Sequence, residues 1–176
     1  GAGKDIFVYS NVADSPFSTT ARNYDVITNF QPGIDKIDLT PLNSPNQAQL
    51  IWDAAKAPGA TAGDRFGVWY TSDGSGGVFV FADQDGDGKA DLQIDLAGVT
   101  TLSETDFLGV NIPTITGITV TPGNGDLNAG KTVTFSVTMS EVVFVAGIPT
   151  LTLNDGGTAS FVGSGVLSGK SVLSFA

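Results

Sequence analysis

The pattern of hydrophobic and polar positions is that of a β protein along most of the chain. Before residue 113, short apolar runs are separated by Gly, Asp, Asn and Pro, which predicts strands joined by turns. The predicted strands are residues 6–9, 36–39, 66–70, 78–81 and 92–96. Ser44-Pro45-Asn46 ahead of residues 47–55 predicts a capped short helix, and Ser103 with Asp106 predicts one more capped turn.

From Pro113 onward the sequence becomes rich in Thr and Val, and apolar and polar residues alternate with a period of two. The spacing of these runs predicts a β-sandwich of about 60 residues, well short of the roughly 100 that a complete one uses, so its last strands are expected to be missing. The predicted fold class is therefore all-β, with domains at 1–112 and 113–176. The predicted strands are residues 118–120, 132–138, 142–145, 150–153, 159–162 and 172–175.

Charge and composition remove several classes of function. The chain has 18 acidic and 8 basic residues and a net charge of −10, which repels phosphate backbones and anionic lipid headgroups, so we expect no nucleic-acid partner. It contains no Cys and no His, which excludes disulfides, thiolate or imidazole zinc sites and Ser-His-Asp triads within it. No apolar run approaches the roughly 20 residues of a membrane helix, so membrane insertion is not expected.

The ends of the sequence suggest a fragment. The chain begins without Met, at Gly1, and stops at Ala176 inside a predicted strand. We therefore expect it to be part of a longer polypeptide, with neighbouring domains of the same polypeptide among its partners.

The most informative segment is an acidic loop at residues 83–91. Carboxylates at positions 1, 3, 5 and 9, with Gly at position 6, are spaced as in loops that wrap one Ca²⁺, and the backbone carbonyl of position 7 adds an oxygen. Several carboxylates so close together repel one another unless a cation neutralises them. The predicted metal ligands in this loop are Asp83, Asp85, Asp87, Asp91 and the carbonyl of Lys89.

The flanks of this acidic loop argue against an EF-hand. That motif needs Glu at position 12, where this chain has Ile94, and both flanking segments alternate like strands. The sequence therefore predicts a calcium loop that closes a hairpin, with Asp95 as a further candidate ligand. The alternative is a solvated turn, since Asp and Gly are the residues that turns prefer.

A second calcium signal lies at the amino terminus. Residues 1–7, Gly-Ala-Gly-Lys-Asp-Ile-Phe, fit the later part of the repeat that builds calcium-binding β-rolls, in which each ion is held between consecutive turns. Asp5 is the candidate ligand of this partial repeat. The alternative is a Gly-rich entry into a strand.

Together these stretches resemble the serralysin-type C-terminal domain that follows RTX repeats. The similarity lies in residues 3–9, 14–15, 25–39, 83–94 and 102–107, although Asn29 stands where that family usually has Asp. The resemblance implies a bacterial protein that is exported unfolded by a type I system and folded by calcium outside the cell. It also implies a non-catalytic domain, in which Asp5 is a repeat ligand. Asp25 and Asp35 are either ligands or turn caps, or, with Asp38, solvated carboxylates at strand ends.

The second half resembles, less specifically, the bacterial immunoglobulin-like repeats of large surface proteins. The similar stretches are residues 118–126 and 149–157. Such repeats act as spacers or adhesive stalks.

Two functions follow from these features. The first is a calcium-binding, non-catalytic structural module of a large secreted or surface-attached bacterial protein, such as an adhesin, with an extracellular glycan or surface receptor as a further partner. The second is a carbohydrate-binding module or a non-catalytic region of a secreted hydrolase, with Trp52, Trp69 and Tyr70 stacking on a sugar ring. Aromatic residues at strand spacing equally suit a hydrophobic core.

Overall fold

The computed structural model describes residues 3–43, 49–57, 59–124, 130–145, 147–167 and 170–176. The chain divides into two compact units, Gly1–Ile112 and Pro113–Ala176. Strands dominate both units, as the all-β prediction requires. Within the described ranges, no helix has the length and apolar character needed to cross a membrane.

The first unit contains two sheets. Its strands are β1 (Ile6–Val8), β2 (Asp25–Ile27), β3 (Lys36–Asp38), β4 (Ile51–Ala55), β5 (Gly67–Ser72), β6 (Val78–Ala82), β7 (Leu92–Leu96) and β8 (Phe107–Leu108). A three-stranded parallel sheet has the order β1-β3-β8, and a five-stranded mixed sheet has the order β2-β7-β6-β5-β4. Short 3-10 turns at Val12–Asp14, Thr40–Leu42 and Glu104–Asp106 connect some of the strands.

One hydrophobic core joins these two sheets. Ile37 and Phe107 come from the three-stranded sheet, whereas Val68, Val80 and Ile94 come from the five-stranded one. Each fully buried aliphatic or aromatic side chain contributes about 1.5–3 kcal/mol through removal of apolar surface from water.

The opposite face of the five-stranded sheet is also covered. Trp69, Phe81 and Ala90 form a second buried cluster there, with Phe17 and Phe79 packed against it. Burial on both faces explains why β6 is continuously apolar and why β5 carries the apolar run 68–70.

All five strands predicted in the first unit are confirmed, and so is the capped turn near residue 103. Ser103 and the side chain of Asp106 form a reciprocal capping box around Glu104–Asp106. The strands β2, β4 and β8 are additional to the prediction.

The predicted helix at 47–55 is wrong over its second half, because residues 51–55 form β4. This strand pairs in parallel with β5, and Leu50 beside it is buried in the core. Pairing and burial have overridden the local helix signal, as tertiary context often does. The proposed cap at Ser44-Pro45-Asn46 and the first two positions of the predicted helix lie outside the described residues.

The second unit contains five strands, β9 (Ile115–Thr121), β10 (Thr134–Met139), β11 (Thr150–Thr152), β12 (Thr158–Leu167) and β13 (Lys170–Phe175). They form one antiparallel sheet in the order β11-β12-β13-β10-β9. The buried core of this unit consists of Val137, Ala159 and Phe175. The immunoglobulin-like assignment of this unit stays a prediction.

The strand predicted at 142–145 is not formed. The backbone of Val143 is bonded to a side chain instead, since its N–H donates to Ser171 Oγ at 2.9 Å and its carbonyl accepts from the same hydroxyl at 3.3 Å. The Ser171 hydroxyl therefore satisfies the backbone hydrogen bonds of Val143 that a paired strand would otherwise satisfy.

Candidate metal centre

The acidic loop joins β6 to β7. These two strands pair in antiparallel register from Val78↔Leu96 to Ala82↔Leu92, so residues 83–91 close a hairpin. The prediction that strands flank this loop is confirmed. Gly86 and Gly88 both have positive φ values, 79° and 82°, which L side chains rarely adopt and which let the chain turn sharply here.

Asp83 is the anchor of the loop. It is fully buried, and its carboxylate accepts the backbone N–H groups of Gly86 at 2.7 Å, Gly88 at 2.8 Å and Phe66 at 3.0 Å. A carboxylate offers about four lone-pair sites, so roughly one remains available to an ion.

Asp85 and Asp91 complete an acidic cluster with Asp83. One carboxylate oxygen from each residue lies within 4.8 Å of the other two. Two oxygens that share one Ca²⁺ at roughly 2.3–2.6 Å can be at most about 5 Å apart, so this spacing fits a common ion. The donor set, all carboxylate oxygen, also suits a hard cation.

The electrostatics of Asp91 reflect this crowding. Partial burial raises the pKa of Asp91, and the nearby charges of Asp85 and Asp83 raise it further. The N–H groups of Gln84 and Asp85 oppose that shift by donating to Asp91 Oδ2 at 2.7 Å and 3.2 Å. The cluster is therefore a place where negative charge is costly and where a cation would relieve repulsion.

Asp87, which the sequence placed in the same ligand set, is not part of the three-carboxylate cluster. It is exposed, and its carboxylate forms an ion pair with Lys89 Nζ at 2.6 Å. Hydrogen bonds from Lys89 lower the pKa of Asp87, and the same contact raises the pKa of Lys89. The roles predicted for Asp87 and for the Lys89 carbonyl stay predictions.

Asp95 and Asp5 lie apart from the acidic loop. Asp95 is in β7 opposite Phe79, which lies four residues before the loop begins at Asp83. Burial raises the pKa of Asp95, with a smaller contribution from the carboxylate of Asp73. Asp5 directly precedes β1, and its N–H donates to Asp35. Neither is brought to the loop, and Gly1 and Ala2 of the partial repeat lie outside the described residues.

The three further acidic residues, Asp25, Asp35 and Asp38, all accept hydrogen bonds from within the first unit. Asp35 is completely buried and accepts N–H groups from Asp5 and Gln31, so it is not a solvated carboxylate. Asp38 caps the following turn by accepting the N–H of Thr40 at 2.9 Å. Asp25 accepts a hydrogen bond from the Tyr9 hydroxyl at 3.3 Å.

A segment that sequence reasoning missed packs along the acidic loop. Residues 60–67, here called the clasp, lead from β4 into the first residue of β5. The Gly63 N–H donates to the carbonyl of Gly88 in the loop at 3.2 Å, and the Ala90 N–H of the loop donates to the carbonyl of Thr61 in the clasp at 3.3 Å. Arg65 Nε donates to the carbonyl of Gly86. Spacing gave no indication of these contacts, because the clasp is about twenty residues away in sequence.

Comparison with known proteins places these features in a family. The family model for the peptidase M10 serralysin C terminal matches residues 1–109, which include the acidic loop and all eight strands of the first unit. The chain belongs to this family. The serralysin C-terminal domain is a non-catalytic, RTX-type module of type I secreted proteins, so residues 1–109 are a module of that kind. A comparison with curated proteins finds no significant match.

The aromatic residues considered for sugar binding have mainly structural positions. Trp69 is fully buried and its indole N–H donates to the carbonyl of Ala60 at 3.1 Å, so it has no free ring face. Trp52 and Tyr70 are half-buried, stack on each other with ring centroids 6.0 Å apart, and pack against the main core. This arrangement favours the core interpretation of these three residues.

Proposed function

We propose that the first unit is a calcium-stabilised, non-catalytic module of a larger secreted bacterial protein, and that the acidic loop is its ion site. The observation that carries this proposal is the convergence of Asp83, Asp85 and Asp91 within 4.8 Å in a serralysin C-terminal domain. Backbone N–H groups orient the carboxylates of Asp83 and Asp91, which limits the ordering that binding requires.

The ion would act mainly on stability. In its absence the three carboxylates repel one another across a short distance, and part of that repulsion falls on the partly buried Asp91. A cation that binds only the folded state stabilises it by RT ln(1 + [L]/Kd), about 2.7 kcal/mol at a hundredfold excess over Kd. Such a gain is a large fraction of the stability of a small domain.

Thermal unfolding in Ca²⁺ and in chelator tests this proposal. We expect the melting temperature of the first unit to rise with Ca²⁺ concentration, and Mg²⁺ at equal concentration to give a smaller rise because it keeps several waters and favours few carboxylates. Equal melting temperatures in millimolar Ca²⁺ and in chelator would contradict the proposal.

For the second unit we propose a spacer role, in which an immunoglobulin-like domain holds neighbouring domains apart in a surface-attached protein such as an adhesin. Its antiparallel sheet and its low charge support this role, with only five of the chain's charged residues at or beyond Pro113. Binding of the purified chain to a glycan array or to host-cell surfaces tests for an adhesive function. A spacer gives no binding in either assay.

A further inference from the structure

We propose that the ion site has a second half, the clasp, and that ion binding at the acidic loop and docking of the clasp are a single coupled event. This inference rests on the proposed calcium site and concerns how that site is controlled. The residues involved are Gly63, Arg65 and Phe66, which contribute no carboxylate to the cluster but hold the loop that does.

The first link between the clasp and the loop is the buried carboxylate of Asp83. Asp83 Oδ2 accepts N–H groups from Gly88 inside the loop and from Phe66 inside the clasp, at 2.8 Å and 3.0 Å. The orientation of Asp83 therefore depends on both segments. A metal-binding carboxylate that is held by such an outer hydrogen bond loses its orientation when the partner moves.

The second link is steric. Phe66 is buried and has a φ of 59°, a left-handed conformation that is strained in a non-Gly residue and persists only where its surroundings enforce it. Its ring lies against the α-carbon of Gly86, so close that a Cβ at position 86 would overlap ring carbons. The bend of the loop and the strained backbone of Phe66 therefore fit each other.

The third link extends the coupling to the hydrophobic core. Gly63 donates its N–H to Gly88, and a Cβ at position 63 would come within 2.5 Å of the Trp69 ring. Trp69 in turn donates its indole N–H to Ala60 at the start of the clasp. Movement of the acidic loop is thus transmitted through the clasp to a fully buried Trp, and disorder in the clasp is transmitted back to Asp83.

Hydrogen–deuterium exchange on the unaltered chain tests the coupling directly. We expect Ca²⁺ to slow exchange in peptides covering residues 60–67 and 83–91 over the same range of Ca²⁺ concentration, because the N–H groups of Phe66, Gly63 and Ala90 donate across the junction. Slower exchange at 83–91 with no change at 60–67 would overturn the inference and leave the calcium site standing. No Ca²⁺ binding by calorimetry would overturn both.

Two Gly→Ala pairs give matched variants for Ca²⁺ titration by calorimetry. Gly86→Ala introduces the clash with Phe66, whereas Gly74→Ala has the same φ of 79° and no atom within 4 Å. Gly63→Ala introduces a clash with the Trp69 ring without changing any residue of the loop, whereas a Cβ at Gly117 has nothing within 4 Å. We expect Gly86→Ala and Gly63→Ala each to weaken Ca²⁺ binding by about tenfold or more, which is the usual loss when a residue that orients a metal ligand is disturbed. We expect unchanged Ca²⁺ binding in the controls Gly74→Ala and Gly117→Ala. Wild-type affinity in a folded Gly63→Ala protein would overturn the inference.

Discussion

The carboxylate of Asp35 accepts the backbone N–H of Asp5 at 3.0 Å, across thirty residues of sequence. Its second oxygen accepts the N–H of Gln31 at 2.9 Å, and the side chain is completely buried. This carboxylate therefore ties the start of β1 to the turn before β3. Asp5, the candidate ligand of the partial repeat, is thus held in the first unit by its backbone N–H.

Acid should destabilise the first unit through Asp35. The hydrogen bonds from Asp5 and Gln31 lower the pKa of Asp35 in the folded state, below its value in the unfolded chain. Its stabilising contribution is therefore complete above the unfolded pKa of about 3.9 and is lost as pH falls through the lower folded pKa. We expect Asp35→Asn to melt lower at pH 7 and to show a shallower loss of stability below about pH 4. Asp38→Asn, in which the altered carboxylate accepts the N–H of Thr40, should lower the melting temperature less. A pH profile of Asp35→Asn that parallels the wild type would rule out this assignment.

Asp85 and Asp95 should differ in their effect on Ca²⁺ binding. Asp85 belongs to the three-carboxylate cluster, whereas Asp95 lies along β7 beside Asp73 and outside that cluster. Asp85→Asn removes a charged ligand oxygen and should weaken Ca²⁺ binding by at least about tenfold, since ligand charge sets the affinity of such sites. Asp95→Asn removes the same charge and should leave Ca²⁺ affinity within about twofold in isothermal titration. Equal losses in the two variants would mean that net charge alone controls binding.

Removing the ammonium group of Lys89 should strengthen Ca²⁺ binding. Lys89 pairs with Asp87 at 2.6 Å and also interacts electrostatically with Asp85 and Asp83, so its positive charge opposes an incoming cation. Lys56 and Asp53 form an ion pair of the same length outside the acidic loop and provide a matched control. We expect Lys89→Met to lower the Kd for Ca²⁺ several-fold at low salt, with less gain at high salt because of screening, and Lys56→Met to change it less. A weaker affinity in Lys89→Met would show that Lys89 supports the loop.

Truncation of Ile94 should destabilise the first unit strongly. This residue is fully buried in the core between the two sheets and lies in β7, three positions after the end of the acidic loop. Measured by urea titration, Ile94→Ala should lower the free energy of unfolding by about 2–5 kcal/mol, because apolar burial is lost and a cavity remains. Val26→Ala, at an exposed site on the adjacent strand β2, should cost less than about 1 kcal/mol in the same urea titration. A similar cost in both variants would contradict the described core.

Features encoded by nearby residues were predictable from the sequence. The strands β5, β6 and β7 follow from short apolar runs, and the hairpin loop follows from the spacing of Asp83, Asp85 and Asp91 and the neighbouring Gly residues. The capped turn at Ser103 and Asp106 is likewise local. These signals survive in sequence because each involves residues only a few positions apart, so the backbone geometry itself sets their proximity.

Features that depend on distant residues required the tertiary structure. Residues 51–55 form a strand that pairs with β5, whereas no strand forms at 142–145, where the backbone of Val143 is bonded to the side chain of Ser171, 28 residues away. Likewise, the clasp lies beside the acidic loop because β4, β5 and β6 are neighbours in one sheet. Hydrophobic alternation specifies that a strand exists, but hydrogen-bonding partners between distant segments carry no periodic signature. The acidic residues by themselves therefore indicated an ion, and only the folded chain decided which of them face each other and what holds them there.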